Sequence, residues 1–188
     1  SNAASDADTD GPPSLAADGS GNVVAVWSSS HNITGTIGTD ADILVATSGS
    51  DGTTWNATSV LNSTATSDSG SDTFPSVAAS ANTMVTAWVS TENLGGTIGT
   101  DSDLFFSRST NGGTSWSAAA VLNSNAASDG SSTDSAPSMA TNGSGTWIVV
   151  WSSNDSLGST IGVDNDILFT RSTSDGASWS SVAAVAPN

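Results

Sequence analysis

The chain repeats itself three times, and this periodicity constrains its fold more tightly than any single residue does. Pro13-Ser14, Pro75-Ser76 and Pro137-Ser138 recur about 62 residues apart, and Trp27, Trp88 and Trp151 keep nearly the same period. Ile37-Gly38, Ile98-Gly99 and Ile161-Gly162 fall in register with them, as do Trp55, Trp116 and Trp179. The copies run 13–74, 75–136 and 137–188, behind a lead-in at 1–12. Ser1-Asn2-Ala3 reads either as a tag remnant or as part of the repeat, because the string SNAASD at 1–6 recurs at 124–129.

Each copy predicts four short strands. In the first copy these are PSLAAD (13–18), NVVAVWSS (22–29), DILVATS (42–48) and ATSVLN (57–62). The second is a nearly continuous apolar run, the pattern of a strand buried on both faces. The polar strings DGSGN (18–22) and GSDGTTW (49–55) turn the chain. No segment carries a 3.6-residue period, so the sequence predicts an all-β fold with almost no helix. Repeats of this length with four antiparallel strands suit propeller blades or stacked sandwiches.

Composition narrows the partners. Asp and Glu number 18, all Asp but Glu92, against two basic residues, Arg108 and Arg171, for a net charge of −16. Neutralising phosphates needs clusters of Lys and Arg, so nucleic acid is disfavoured, and anionic membranes likewise. Cations and uncharged glycans stay open, as does plain solvation of the surface. There is no Cys, hence no disulfide or thiolate site, and no apolar run long enough to span a membrane. The Lys-free, acidic composition suggests an extracellular or cell-surface protein of bacterial type.

The turn before each fourth strand carries a resemblance. SGSDGTTW places Ser48, Ser50, Gly52, Thr54 and Trp55, and STNGGTSW places Ser109, Asn111, Gly113, Ser115 and Trp116. STSDGASW places Ser172, Ser174, Gly176, Ser178 and Trp179. The pattern resembles S-x-D-x-G-x-T-W of the BNR/Asp-box repeats in sialidase-like β-propellers. A short polar side chain at the third position bonds the turn's backbone, Gly takes a positive φ, and Trp is expected to anchor the hairpin in the core. Ser50, Asn111 and Ser174 stand where the family has Asp, with Asp51 and Asp175 one position late as candidate substitutes.

The resemblance implies three four-stranded blades in one propeller-type domain: blade 1 at 13–74, blade 2 at 75–136 and blade 3 at 137–188. Three blades would fill half of a six-bladed ring and leave two apolar faces, so a homodimer closing the ring is expected. The other reading is an array cut from something longer.

The loops expected to share one face of the ring are the acidic ones. T-I-G-x-D-x-D recurs with Asp40 and Asp42, Asp101 and Asp103, and Asp164 and Asp166. The loop into each copy carries Asp6, Asp8 and Asp10 in a D-x-D-x-D-G string, then Asp68 with Asp72, and Asp129 with Asp134. Calcium, which takes six to eight oxygen ligands, is the candidate cofactor for either loop; turn capping and solvated Asp are the alternative.

Catalysis is not expected. The resemblance implies, for a sialidase, three Arg, a Tyr nucleophile with Glu, and an acidic Asp, whereas this chain has no Tyr, two Arg and one Glu. His31 is the single His, so any serine triad would depend on it. Near-identical carboxylates in every copy argue against glycoside hydrolysis, which needs two in different environments. The sequence therefore reads as a non-catalytic binding or scaffold module, with a protein or glycan ligand; the alternative is a glycan-binding or glycoside-hydrolase-related propeller fragment.

Overall fold

The computed structural model describes residues 8–33 and 35–185, and every regular element among them is a strand. Strands β1 (Ser14–Ala17), β2 (Val23–Ser29), β3 (Asp42–Ser48) and β4 (Ser59–Val60) form one antiparallel sheet in that order. Strands β5 (Asp72–Ser80), β6 (Thr83–Ser90), β7 (Asp103–Ser109) and β8 (Ala120–Val121) form a second. Strands β9 (Asp134–Thr141), β10 (Trp147–Ser153), β11 (Asp166–Ser172) and β12 (Ala183–Ala184) form a third. The register repeats with the sequence: Val24 pairs with Thr47, Val85 with Arg108 and Ile148 with Arg171.

The sheets stack face to face in chain order. Val24, Val26, Ile43 and Val45 of the first meet Val77, Met84, Trp88 and Phe105 of the second. Ala87, Val89 and Leu104, on the opposite side of that sheet, meet Val149, Trp151 and Leu168 of the third. Burying one such aliphatic side chain contributes roughly 1.5–3 kcal/mol, so each junction stabilises the fold. β6 is consequently buried at every position. The expectation of a second strand buried on both faces needs correcting for β2 and β10, which alternate between buried and more exposed residues because each has one neighbouring sheet instead of two.

The Pro-Ser landmarks have a mechanical role. Phe74 and Ala136 sit at φ 52 and 50, and the register of β5 and β9 shifts there, placing Pro75 and Pro137 at a bulge where no ladder donor is needed. The Ser that follows reaches the next sheet. Val77 N donates to Ser14 Oγ at 3.1 Å, and Met139 N donates to Ser76 Oγ at 3.0 Å. Ser63 and Ser124 repeat the device beyond the fourth strand, accepting from Ala119 N and Val182 N.

The turns before β4, β8 and β12 close through their own side chains. Ser48, Ser109 and Ser172 accept from the N–H groups of Gly52, Gly113 and Gly176, each at 3.0 Å. Those glycines lie at φ 77, 83 and 76. Ser50 and Ser174 accept from Thr54 N at 3.1 Å and Ser178 N at 3.0 Å, as Asn111 Oδ1 does from Ser115 N at 3.0 Å. Ser therefore reaches the backbone unaided, and Asp51 and Asp175 do not take over that bond. The position expected for the turn Trp is corrected in the first copy only. Trp116 packs on the core of the first junction, and Trp179 meets Phe106 of the preceding sheet edge-on at 5.8 Å. Trp55, with no sheet before its own, is 44% exposed. These tryptophans bind a sheet to its predecessor.

Candidate metal centre at the blade junctions

The T-I-G-x-D-x-D loops are built from the Ile outward. Ile37 is buried with Leu44 and Ala65, while Ile98 and Ile161 pack on the first and second junction cores. The following Gly leaves room for the first Asp of the pair to fold back. A Cβ on Gly99 would collide with Asp101 Oδ1, and one on Gly162 with Asp164 Oδ1; on Gly38 it would stand 2.6 Å from Asp40 Oδ1. The second Asp begins the third strand and points inward.

At the first junction one carboxylate oxygen each from Asp40, Asp42 and Asp68 lies within 4.8 Å of the others. At the second, Asp101, Asp103 and Asp129 repeat the arrangement. Asp42 and Asp103 are fully buried. Their Oδ2 atoms accept no hydrogen bond, nor does either oxygen of Asp101. Buried Asp clusters of this kind can hold a metal ion.

Asp72 and Asp134, which start the next sheet, stand one step away and are joined to the cluster by an amide. Asn62 Nδ2 donates to Asp42 Oδ1 at 2.8 Å and to Asp72 Oδ2 at 2.7 Å, while its Oδ1 accepts from Ile43 N. Asn123 does the same with Asp103 Oδ1 at 2.8 Å, Asp134 Oδ2 at 2.9 Å and Leu104 N. One side chain thus ties carboxylates of two successive sheets. Neither Asn was singled out from sequence, although the string V-L-N-S at 60–63 and 121–124 is a visible signal; Ala186 occupies the equivalent position in the third copy.

The electrostatics follow from burial. Desolvation, helped by the neighbouring charges of Asp40 and Asp68, raises Asp42 to about 7 against the opposing Asn62 hydrogen bond. Burial lifts Asp103 to about 7 and Asp129 to about 6, with Asp101 adding to both. Asp134 rises to about 7 by burial, and burial pushes Asp72 well above the carboxylate range. Crowded, dehydrated carboxylates hold protons unless a cation replaces them.

The remaining acidic candidates are not drawn in. Asp164 is exposed and Asp166 half-buried in the third sheet. Asp8 pairs with His31 Nδ1 at 2.8 Å, and Asp10, exposed, bridges to Ser29. Asp6 lies outside the described residues. Asp175 serves the second junction away from the cluster: Thr83 Oγ1 (2.7 Å), Trp147 Nε1 (3.1 Å) and Arg108 Nη2 (3.2 Å) donate to its carboxylate. Burial works against its ionisation, but those bonds and the Arg108 charge hold it below the usual range. Arg108 thus packs between blades, whereas Arg171 at the equivalent place is exposed.

Solved structures share this architecture. A Hadza microbial sialidase superposes with a TM-score of 0.64 at 17% identity, over 90% of this chain and 36% of that one. The fold is that of β-propeller blades. An α-L-arabinanase of Penicillium chrysogenum gives 0.61 at 17% identity, over 95% and 50% of the two propeller chains. A leech intramolecular trans-sialidase gives 0.61 at 9%, over 96% and 44%. This propeller chain therefore spans from about a third to half the length of those structures. No protein-family model matches the sequence, and no curated protein does.

Proposed function

We propose that the chain is a non-catalytic, extracellular module of BNR/Asp-box type, acting in binding or as a surface scaffold, with calcium held in its acidic clusters. One observation carries the non-catalytic reading. The carboxylates that converge do so twice, in equivalent surroundings, and are tied into the packing between sheets. A hydrolytic pair needs two carboxyl groups in contrasting environments that face a substrate. A buried, duplicated arrangement serves structure better. Calcium suits the donors, which are all hard oxygens.

Assembly belongs to the same reading. Leu15 is 63% exposed on the first sheet, where its equivalent Val77 is buried on the second. Ile148 and Ile167 are 38% and 52% exposed on the third, where Val85 and Leu104 of the second are fully buried. These are the two halves of the junction already made twice within the chain. A second copy offers each half its complement, six blades in all.

The similar solved structures include a sialidase and an arabinanase complexed with arabinobiose, which keeps a second reading in play: a glycan-binding or glycoside-hydrolase-related propeller. A panel of aryl sialosides, arabinosides and hexosides, assayed from pH 5 to 8 with calcium, separates the two. No aryl release above buffer is expected. Turnover abolished by substituting a cluster Asp would overturn the non-catalytic reading.

A further inference from the structure

We infer that the two acidic clusters are calcium clamps that fasten each blade to the next, one ion per junction. The inference rests on the calcium reading above and adds a stoichiometry and a mechanical role. Three observations support it. First, the donor atoms of Asp40, Asp42 and Asp68 lie within 4.8 Å of one another, as do those of Asp101, Asp103 and Asp129. Ca²⁺–O distances run about 2.3–2.6 Å, so oxygens lying no farther apart than about twice this can share one calcium.

Second, fully buried oxygens without partners point into each cluster: Asp42 Oδ2 in one, Asp103 Oδ2 in the other. A buried carboxylate oxygen with no donor is costly, and a cation satisfies it directly. Third, the ligands join one sheet to the segment that leads into the next. Asp40 and Asp42 belong to the loop and third strand of one blade. Asp68 lies on the segment crossing to the next blade and is followed by Asp72, whose Oδ2 receives the same Asn62 amide as Asp42. An ion there closes the loop between the two sheets, so binding energy becomes junction stability.

Calorimetric titration of the chelator-treated chain with calcium, paired with thermal unfolding, tests this. Two ions per chain are expected for the wild type and one for Asp103→Asn. Saturating calcium should raise the wild-type unfolding midpoint by roughly 10 °C, and the single-site variant by about half as much. Terbium gives a second readout: the buried Trp88 and Trp151 flank the two junctions, so sensitised emission should fall by about half in Asp103→Asn. Calcium bound at two sites without any change in unfolding would overturn the clamp and leave calcium binding standing. No heat and no terbium emission at millimolar ion would overturn both. Circular dichroism of Asp103→Asn without ions checks that the variant folds, and Asp129→Asn supplies the same comparison should it not.

Discussion

Replacing Asn123 by Leu should lower the free energy of unfolding by roughly 3–5 kcal/mol, measured by urea denaturation without calcium. The Leu side chain fits the volume but offers no donors. Asp103 Oδ1 and Asp134 Oδ2 would face each other with nothing between them, and Leu104 N would lose its acceptor. Both carboxylates are buried, so water cannot compensate. Asn62→Leu should behave alike at the first junction, through Asp42, Asp72 and Ile43. Asn123→Asp keeps the acceptor for Leu104 N but adds a third charge, so it should be as damaging without calcium and partly rescued with it. A loss below 1 kcal/mol for both Leu variants would mean that the amide bridges do not hold the junctions.

The second large effect is a pH dependence opposite to that of most acidic proteins. Asp42, Asp103 and Asp134 have folded-state values near 7 against about 3.8 unfolded, and Asp129 near 6. A raised folded value means that the native chain binds more protons than the unfolded chain between these limits. Stability therefore falls as pH rises from about 4 to about 7, and levels off above the folded values. The groups facing Asp42 are Asp40 and Asp68, and those facing Asp103 are Asp101 and Asp129; all are acidic, so none offsets the trend. The chelated protein should thus be more stable at pH 5 than at pH 8 by several kcal/mol. Calcium should remove or reverse that slope, because it competes with the protons. Urea midpoints that rise with pH in chelator would contradict the burial of these carboxylates.

Much of this was legible in the residues. The threefold landmarks fixed strand positions to within about three residues, because turns rich in Gly and Asp punctuate each strand; β5 and β9 begin three residues before the Pro that marks them. That Asp40 and Asp42 would share a face with Asp68 followed from four-stranded antiparallel connectivity alone. What escaped was whatever depends on the neighbouring sheet. Asn62 and Asn123 look like ordinary strand ends until the next blade's Asp72 and Asp134 arrive opposite them. Asp175 looks like a displaced turn residue, yet its partners Thr83, Arg108 and Trp147 lie far away in sequence. The turn tryptophans have the same local sequence, and only the presence or absence of a preceding sheet separates exposed Trp55 from Trp116. Periodicity reveals what a repeat is made of; the contacts between repeats are long-range and leave weaker marks.

Blades whose two faces are complementary halves of one repeating junction should also pair between two copies of the chain. Light scattering on the purified chain in calcium, at low micromolar concentration, examines that most directly. A particle of twice 18.5 kDa is expected, reverting toward the monomer when Ile148 and Ile167 of the open face are both changed to Asp. A stable 18.5 kDa species, unchanged by those substitutions, would contradict it.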